Sequence, residues 1–317
     1  MVLDLRCIKL DFISEVIALL VHLRYLAIWY NGPVPSSICD LWSLQTLIIR
    51  RVAILELLTR PNLMLPNTIS NLVNLRHLKC NASVLFPRIQ KPMNLLTISE
   101  VILGKGAKDF LKGVPSIKKL KCLVYQEMKY DFRALTFLET LKIDRIYGKK
   151  EAIVRNMYVP RSQKNSISFP SSLKKLELVQ CHLPWSSMSE IQSLPQLEVL
   201  ELLLDAFVGP QWDAGEEPFQ QLNFLKLRQL DITQWEASNI NFPCLKRLQV
   251  EGCIGLDEIP LEIGCIPTLE HIIIKNGLDS SDNSGKKIQE EQQSEGNFDL
   301  KITVSYPWWR DGNRERT

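Results

Sequence analysis

The sequence predicts an α/β solenoid, or horseshoe. In this fold short repeats stack with a parallel β-sheet on the concave face and short helical, 3₁₀ or irregular segments on the convex side. Two observations predict it. Leucine and isoleucine are spread over all 317 residues without a run long enough to cross a bilayer. The pattern L-x-x-L-x-L-x-x-N/C also recurs, mostly at intervals of about 20 to 25 residues, which is the signature of stacked repeats.

The clearest copies of this leucine-rich repeat fit the pattern at every position: 23–31, 173–181 and 245–253. Each copy predicts a short strand whose leucines point to one face, and stacked copies then share one core. The closing Asn or Cys is expected to cap the turn by bonding backbone groups. The strand register stays open at 95–101 and at 222–235, where the copies are poor or overlap.

The return half of several repeats carries a second signature. Pro35, Pro66 and Pro260 are each followed by an isoleucine three residues later. Proline cannot donate to a strand ladder, so it marks the chain leaving the sheet. The spacing of three predicts a short helical or 3₁₀ turn on the convex side.

The repeat pattern divides the chain into four parts. A solenoid of about 11 or 12 irregular repeats is predicted for 1–277, with insertions near 52–64 and 147–168 where the interval lengthens. Residues 278–296 are polar and predict a loop or short helix. Residues 297–306 alternate in polarity, which predicts a capping strand, and 307–317 are expected to be a mobile tail.

Composition narrows the class of function. The net charge of +3 is too small to indicate a nucleic-acid partner, and no membrane-spanning segment is predicted. The chain opens without a basic and apolar leader, and its eight cysteines occur singly, so reduced thiols and a cytoplasmic location are expected. The sequon at 81–83 is therefore expected to be a chance match.

Catalytic chemistry has little support in the sequence. The four histidines are isolated, no C-x-x-C pair occurs, and no G-x-S-x-G or H-E-x-x-H motif is present. The phosphate loop G-x-x-x-x-G-K-[ST] is also missing from these residues. The sequence therefore predicts a protein that is not an enzyme and holds no metal or cofactor.

Residues between the leucines of each strand are expected to line the concave face, and these positions are rich in cations and aromatics. The candidate protein-binding residues are Arg24, Trp29, Tyr30, Arg50, Arg51, Arg76, His77, Lys79, Lys118, Lys119, Lys121, Lys142, Lys174 and Lys175. Such a strip is often only a solvated face. The functional interpretation is a docking surface for an acidic protein partner, anchored by an exposed aromatic residue.

Several phrases resemble one known family. The phrases at 23–26 (LRYL), 65–72 (LPNTISNL), 75–78 (LRHL) and 288–293 (IQEEQQ) are similar to plant intracellular immune receptors of the late-blight-resistance type in the nightshade family. These receptors combine a coiled coil, a nucleotide-binding switch and a leucine-rich horseshoe. The resemblance implies autoinhibition and pathogen-effector recognition, with partners in the nucleotide-binding and coiled-coil modules of the same receptor and in an effector or a guarded host protein. Because the phosphate loop is missing here, ATP binding is not carried over, and the chain is expected to be the sensor end of a larger receptor.

Two alternatives remain open at this point. Leucine-rich repeats also follow an F-box in substrate-recognition components of ubiquitin ligases. A cell-surface ectodomain is the third interpretation, encouraged by the phrase NGPVP at 31–35. The missing leader, the irregular repeats and the single sequon count against the ectodomain.

Overall fold

The computed structural model describes residues 1–51, 62–125, 129–146, 166–277, 279–294 and 296–305. It forms two compact units, Met1–Met157 and Tyr158–Thr317. Each unit is a stack of strand-and-turn repeats around a leucine-rich core, so the predicted solenoid is confirmed. Most of both predicted insertions, and the predicted tail at 307–317, lie outside the described residues.

The first unit has a parallel main sheet in the order β1-β2-β3-β5-β7-β8-β10. Its helix α1 spans Ala107–Gly113. Its strands are β1 (Val2–Leu10), β2 (Tyr25–Tyr30), β3 (Thr46–Arg50), β4 (Leu63–Met64), β5 (His77–Cys80), β6 (Val84–Leu85), β7 (Thr97–Leu103), β8 (Lys119–Tyr125), β9 (Lys129–Asp131) and β10 (Thr140–Ile146). The short β4 pairs with β6 away from the main path.

The second unit has a parallel main sheet in the order β12-β14-β17-β19-β20-β21. Its helices are α2 (Met188–Gln192) and α3 (Asp279–Ser294). Its strands are β11 (Ser166–Ser168), β12 (Lys175–Val179), β13 (Leu183–Pro184), β14 (Val199–Leu203), β15 (Phe207–Val208), β16 (Gln211–Asp213), β17 (Phe224–Arg228), β18 (Gln234–Glu236), β19 (Arg247–Glu251), β20 (His271–Lys275) and β21 (Lys301–Ser305).

The repeat leucines form the core of both units. Leu26 and Ile28 of β2 are fully buried, and the equivalent pair of each neighbouring strand lies beside them in register. The structure also settles the two open registers. Leu225 and Leu227 point inward from β17, and β7 contains an irregularity between Ile98 and Val101.

The proline phrases begin 3₁₀ helices, as predicted. Helices Ser36–Asp40, Asn67–Asn71 and Leu261–Cys265 each follow a proline at the N-cap position. The isoleucine three residues after each proline is fully buried. The apolar spacing therefore anchors the return segment of the repeat on the core.

Strand ends in the second unit share a left-handed backbone turn. The residues that follow successive main strands with positive φ are Gln180, Leu204, Gln229, Gly252 and Asn276. Each donates its N–H to the next repeat, as Gly252 does to the carbonyl oxygen of Lys275 at 2.8 Å. Cys253 lies buried beside one of these turns, and its Sγ donates a weak hydrogen bond to the Glu251 carbonyl oxygen at 3.9 Å. Burial raises the pKa of this thiol to about 11, so it is protonated at neutral pH.

An aromatic stack fills the return side of the second unit. The rings of Trp185, Trp212 and Trp235 lie nearly parallel, with centroids 5.0 and 5.1 Å apart. The pairing of β16 with β18 places Trp212 directly beside Trp235. Phe242 meets both of these rings edge-on at 6.3 Å. Consecutive repeats are thus joined by ring contacts as well as by strand pairing.

The polar segment at 278–296 is mostly the 16-residue helix α3. Ser284, Ile288 and Gln292, spaced four residues apart, are its buried face, although two of the three are polar. The following strand β21 pairs in parallel with β20, so the edge of β20 is covered. Within the described residues, no helix is both long enough and apolar enough to span a membrane.

Two glycines allow α3 to pack closely. A Cβ on Gly285 would lie 2.7 Å from Ile274 Cδ1, and one on Gly264 would lie 2.6 Å from Ile288 Cγ2. We expect Gly285→Val to lower the free energy of unfolding by about 1–3 kcal/mol because the packed interface has no space for the side chain. Urea unfolding followed by circular dichroism measures this. The control is Lys286→Val, which puts the same residue on the exposed face of α3 and should cost under about 1 kcal/mol.

Candidate protein-binding face

The main sheet of the first unit aligns its side chains in rows. Tyr25, Thr46, His77, Thr97 and Lys119 are register partners on successive strands. Because alternate residues of a strand point to opposite sides, these residues lie on the side turned away from the core. We call this side the sheet face of the first unit.

The structure places most predicted binding residues on accessible surface. Arg24, Arg50, Arg76, Lys79, Lys118, Lys119 and Lys174 are exposed, and Trp29, His77, Lys121, Lys142 and Lys175 are half-buried. Lys174 and Lys175 belong to the second unit, and the others belong to the first. The first-unit residues lie on or next to the strands of the main sheet of that unit.

Two of the predicted residues are buried, so their assignment to the binding face is wrong. Tyr30 is 9% exposed and Arg51 is 7% exposed. Tyr30 alternates with Trp29 and so points inward like Ile28, with its hydroxyl over Gly32, where a Cβ would lie 2.2 Å away. Arg51 follows Arg50 in the same way and points inward beyond the end of β3. Trp29 is the half-buried member of the aromatic pair and lies on the sheet face.

One part of the sheet face is neutralised by acids. Lys118 Nζ lies 3.3 Å from Glu139 Oε1, and Lys121 Nζ lies 2.5 Å from Glu100 Oε2. Glu100 also accepts a hydrogen bond from Ser83 Oγ at 2.5 Å. These lysines near β8 and β10 are thus already paired within the chain.

The sequence did not identify Glu100, because it lies in the repeat with the poorest pattern. The irregularity in β7 turns Glu100 toward Lys121. At this irregularity the Ser99 side chain of β7 bonds the backbone of β5. Its Oγ accepts the Cys80 N–H at 2.6 Å and donates to the Cys80 carbonyl at 2.8 Å. The missing alternation between Ile98 and Val101 was the signal that could have revealed it.

A second acid lies near the same lysines. Burial raises the pKa of Asp144, while the charges of Lys142 and Lys121 oppose that rise. Asp144 pairs in register with Leu123 of β8. This half of the face therefore mixes positive and negative charge.

The part of the sheet face formed by β2, β3 and β5 is positive. Strands β2, β3 and β5 contain no Asp or Glu. Arg50, Arg76 and Lys79 form no ion pair with any residue that the structure describes. The Arg50 guanidinium lies 5.2 Å from the centroid of the Trp29 ring, within cation–π distance. We call these four residues the basic patch.

His77 lies beside the basic patch, and its pKa is affected by the positive charges of the patch. Partial burial lowers the pKa of His77, and the neighbouring Lys79 and Arg76 lower it further. His77 Nδ1 lies 2.9 Å from Thr97 Oγ1. The imidazole is therefore neutral at pH 7, and the charge of the patch comes from its arginines and lysine.

The sheet face of the second unit is more balanced in charge. Lys175 Nζ lies 2.5 Å from Glu201 Oε1. Lys226 and Arg228 both contact Glu251, at 3.6 and 3.4 Å. These cations form ion pairs within the unit. This face is therefore a weaker candidate for binding an acidic partner.

Candidate catalytic groups do not gather in the described residues. No group of three or more His, Cys, Asp or Glu side chains there could hold a metal ion. His271 Nε2 lies 2.9 Å from Thr303 Oγ1, a contact between surface side chains. All eight cysteines are free thiols, and five of them are buried.

The family is shown by a sequence profile described as leucine-rich repeat region, which matches residues 1–303. The chain belongs to the leucine-rich repeat family. The repeats that carry the basic patch and those that carry the aromatic stack both lie inside the matched span. The leucine-rich repeat assignment made from the spacing of leucines is thus confirmed.

Curated relatives of this leucine-rich repeat chain come from Solanum demissum. The late blight resistance protein homolog R1B-16 is 32% identical over 288 residues, which cover 86% of this chain and 21% of that protein. The homolog R1B-13 is 31% identical over 97% of this chain and 27% of its own length. The homolog R1B-12 is 31% identical over 92% of this chain and 22% of its own length. The resemblance to late-blight-resistance-type proteins is confirmed, and the chain spans only about a fifth to a quarter of each of these relatives.

Among solved structures, an internalin from Listeria monocytogenes matches 92% of this leucine-rich repeat chain and 70% of its own chain. The TM-score is 0.44 and the sequence identity is 13%. The family assignment rests on the sequence profile and the curated relatives.

Proposed function

We propose that this chain is the protein-recognition region of a plant immune receptor and acts in the cytoplasm. Its role is to bind protein partners in autoinhibition and in recognition of pathogen effectors, without catalysis and without a bound cofactor. The relatives named as late blight resistance protein homologs support this function over substrate recognition for a ubiquitin ligase. The leucine-rich repeat family supports protein binding as the mode of action.

The basic patch is the observation that carries the proposal. Its three cations have no counter-charge in the described part of the chain, whereas Lys118 and Lys121 of the same sheet are paired. An acidic surface on a partner would supply the missing charge and speed association. Trp29 adds an aromatic ring next to Arg50, and large rings at interfaces commonly contribute much of the binding energy.

The partner we propose is the nucleotide-binding or coiled-coil module of the same kind of receptor. A pathogen effector or a guarded host protein would then compete for the patch or bind elsewhere on the repeats. Contact with the receptor's own module would hold the receptor inactive, and loss of that contact would release it. This arrangement links one surface to both autoinhibition and recognition.

Neutralising the basic patch should weaken this contact. We expect Arg50→Gln with Lys79→Gln to reduce affinity about 10-fold for a coiled-coil and nucleotide-binding fragment of a late blight resistance homolog. Titration calorimetry at two salt concentrations measures it. Binding by the parent chain should fall with added salt, and binding by the double variant should depend on salt less strongly.

The matched control removes the same charge from the paired half of the face. Lys118→Gln with Lys121→Gln should change affinity by less than about 3-fold because these lysines are already engaged with acids. Equal losses in both double variants would mean that only net charge matters. If neither double variant changed the affinity, the basic patch would be a solvated surface with no role in this contact.

A further inference from the structure

Arg51 is a buried cation next to the basic patch but on the other side of the sheet. Only 7% of its surface is exposed. One terminal nitrogen, Nη2, donates to the carbonyl oxygen of Asn31, while Nε is buried and has no hydrogen-bond partner among the described residues. Since a guanidinium keeps its proton in proteins, this charge cannot be relieved by deprotonation.

No counter-charge for Arg51 is present in the described residues. None of their carboxylates lies within ion-pair distance of the guanidinium. Glu100, which shares the surroundings of Cys80 with Arg51, already pairs with Lys121. Burial raises the pKa of the Cys80 thiol, so the sulfur stays neutral and does not compensate the charge. A buried charge in this state is unfavourable unless a partner supplies the opposite one.

The backbone of Arg51 is held on both sides by a single side chain. The Arg51 N–H donates to Asn81 Oδ1 at 2.7 Å, and Asn81 Nδ2 donates to the Arg51 carbonyl at 2.7 Å. The guanidinium is further fixed by its bond to Asn31. The cation is therefore positioned before any ligand arrives, which lowers the entropy lost on binding. These two hydrogen bonds also engage the side-chain amide of Asn81, the asparagine of the sequon. This supports the interpretation of the sequon as a chance match.

We propose that Arg51 is the receptor for a carboxylate, presented as an Asp or Glu side chain by a bound protein. The single positive charge matches the single negative charge of a carboxylate, and the planar guanidinium pairs well with its planar geometry. Because only 7% of the residue is exposed, the site would accept one such group and no larger ligand. The inference uses the proposed protein-binding function for the source of the carboxylate, but its test needs no partner protein.

Acetate is the probe for this site. The full 317-residue chain is unfolded by heat at pH 7 in acetate, chloride or phosphate at equal ionic strength, and circular dichroism follows the transition. We expect acetate to raise the Tm of the parent chain by about 2–4 °C over chloride, because a ligand of the folded state alone stabilises it. Phosphate should raise the Tm less than acetate does.

Three variants test the assignment. Arg51→Gln removes the charge and should lose the acetate effect, whereas Arg51→Lys keeps the charge and should retain part of it. Arg50→Gln is the matched control in the adjacent exposed arginine and should keep the full effect. A parent chain insensitive to acetate, an equal shift in Arg51→Gln, or a shift with phosphate alone would overturn the proposal. None of these outcomes bears on binding by the basic patch, which the calorimetric titration measures separately.

Discussion

Replacing Trp212 with alanine is expected to lower the free energy of unfolding by about 3–5 kcal/mol. Trp212 is fully buried and lies between Trp185 and Trp235 in the aromatic stack. Its removal leaves a large cavity between repeats and breaks both ring contacts at once. Urea unfolding of the purified chain, followed by circular dichroism, gives the free energy directly.

The control for this variant is Trp185, a half-buried ring of the same stack. Trp185 donates its Nε1 hydrogen to the Gly209 carbonyl at 2.9 Å. Trp185→Ala should cost clearly less than Trp212→Ala because part of its ring surface is already hydrated. Trp212→Phe should recover part of the lost stability because an aromatic ring still fills the space. A larger loss at Trp185 than at Trp212 would contradict the stacking account.

Leu176→Asp is expected to destabilise the second unit by about 4 kcal/mol or more. Leu176 is fully buried in β12 and pairs with the equally buried Leu200 of β14. A carboxylate at this position has no partner, and it also removes apolar contact with the neighbouring repeat. The same urea experiment measures the loss, with the midpoint and slope both recorded.

Two control variants show whether the loss comes from burying a charge, rather than from changing Leu176 or from adding an acid nearby. Leu176→Met keeps the volume and should cost less than about 1.5 kcal/mol. Lys174→Asp places the acid two residues away on an exposed position and should change stability by about 0.5 kcal/mol at most. If Leu176→Asp unfolded at the same urea concentration as the parent, the inward register of β12 would be wrong.

The candidate site was predictable in part. The alternation of strand residues identifies Arg50 and Lys79 as exposed, because each directly follows an inward apolar residue, Ile49 or Leu78. The same alternation turns Arg51 inward, so its assignment to the face went against the pattern, and the residue is buried. Charge compensation was not predictable either, since Glu100 reaches Lys121 only through the irregularity in β7.

The sequence by itself determined the repeat, because every copy must bury the same apolar positions against its neighbours. The inward leucines and the 3₁₀ turns after Pro35, Pro66 and Pro260 follow from that local periodicity. Only the tertiary structure decided which side chains of different repeats meet. Trp212 and Trp235 stack because β16 and β18 are in register, and Arg51 is unpaired because no described acid reaches it. Such contacts depend on distances between repeats, whereas periodicity within one repeat specifies only the direction in which each residue points.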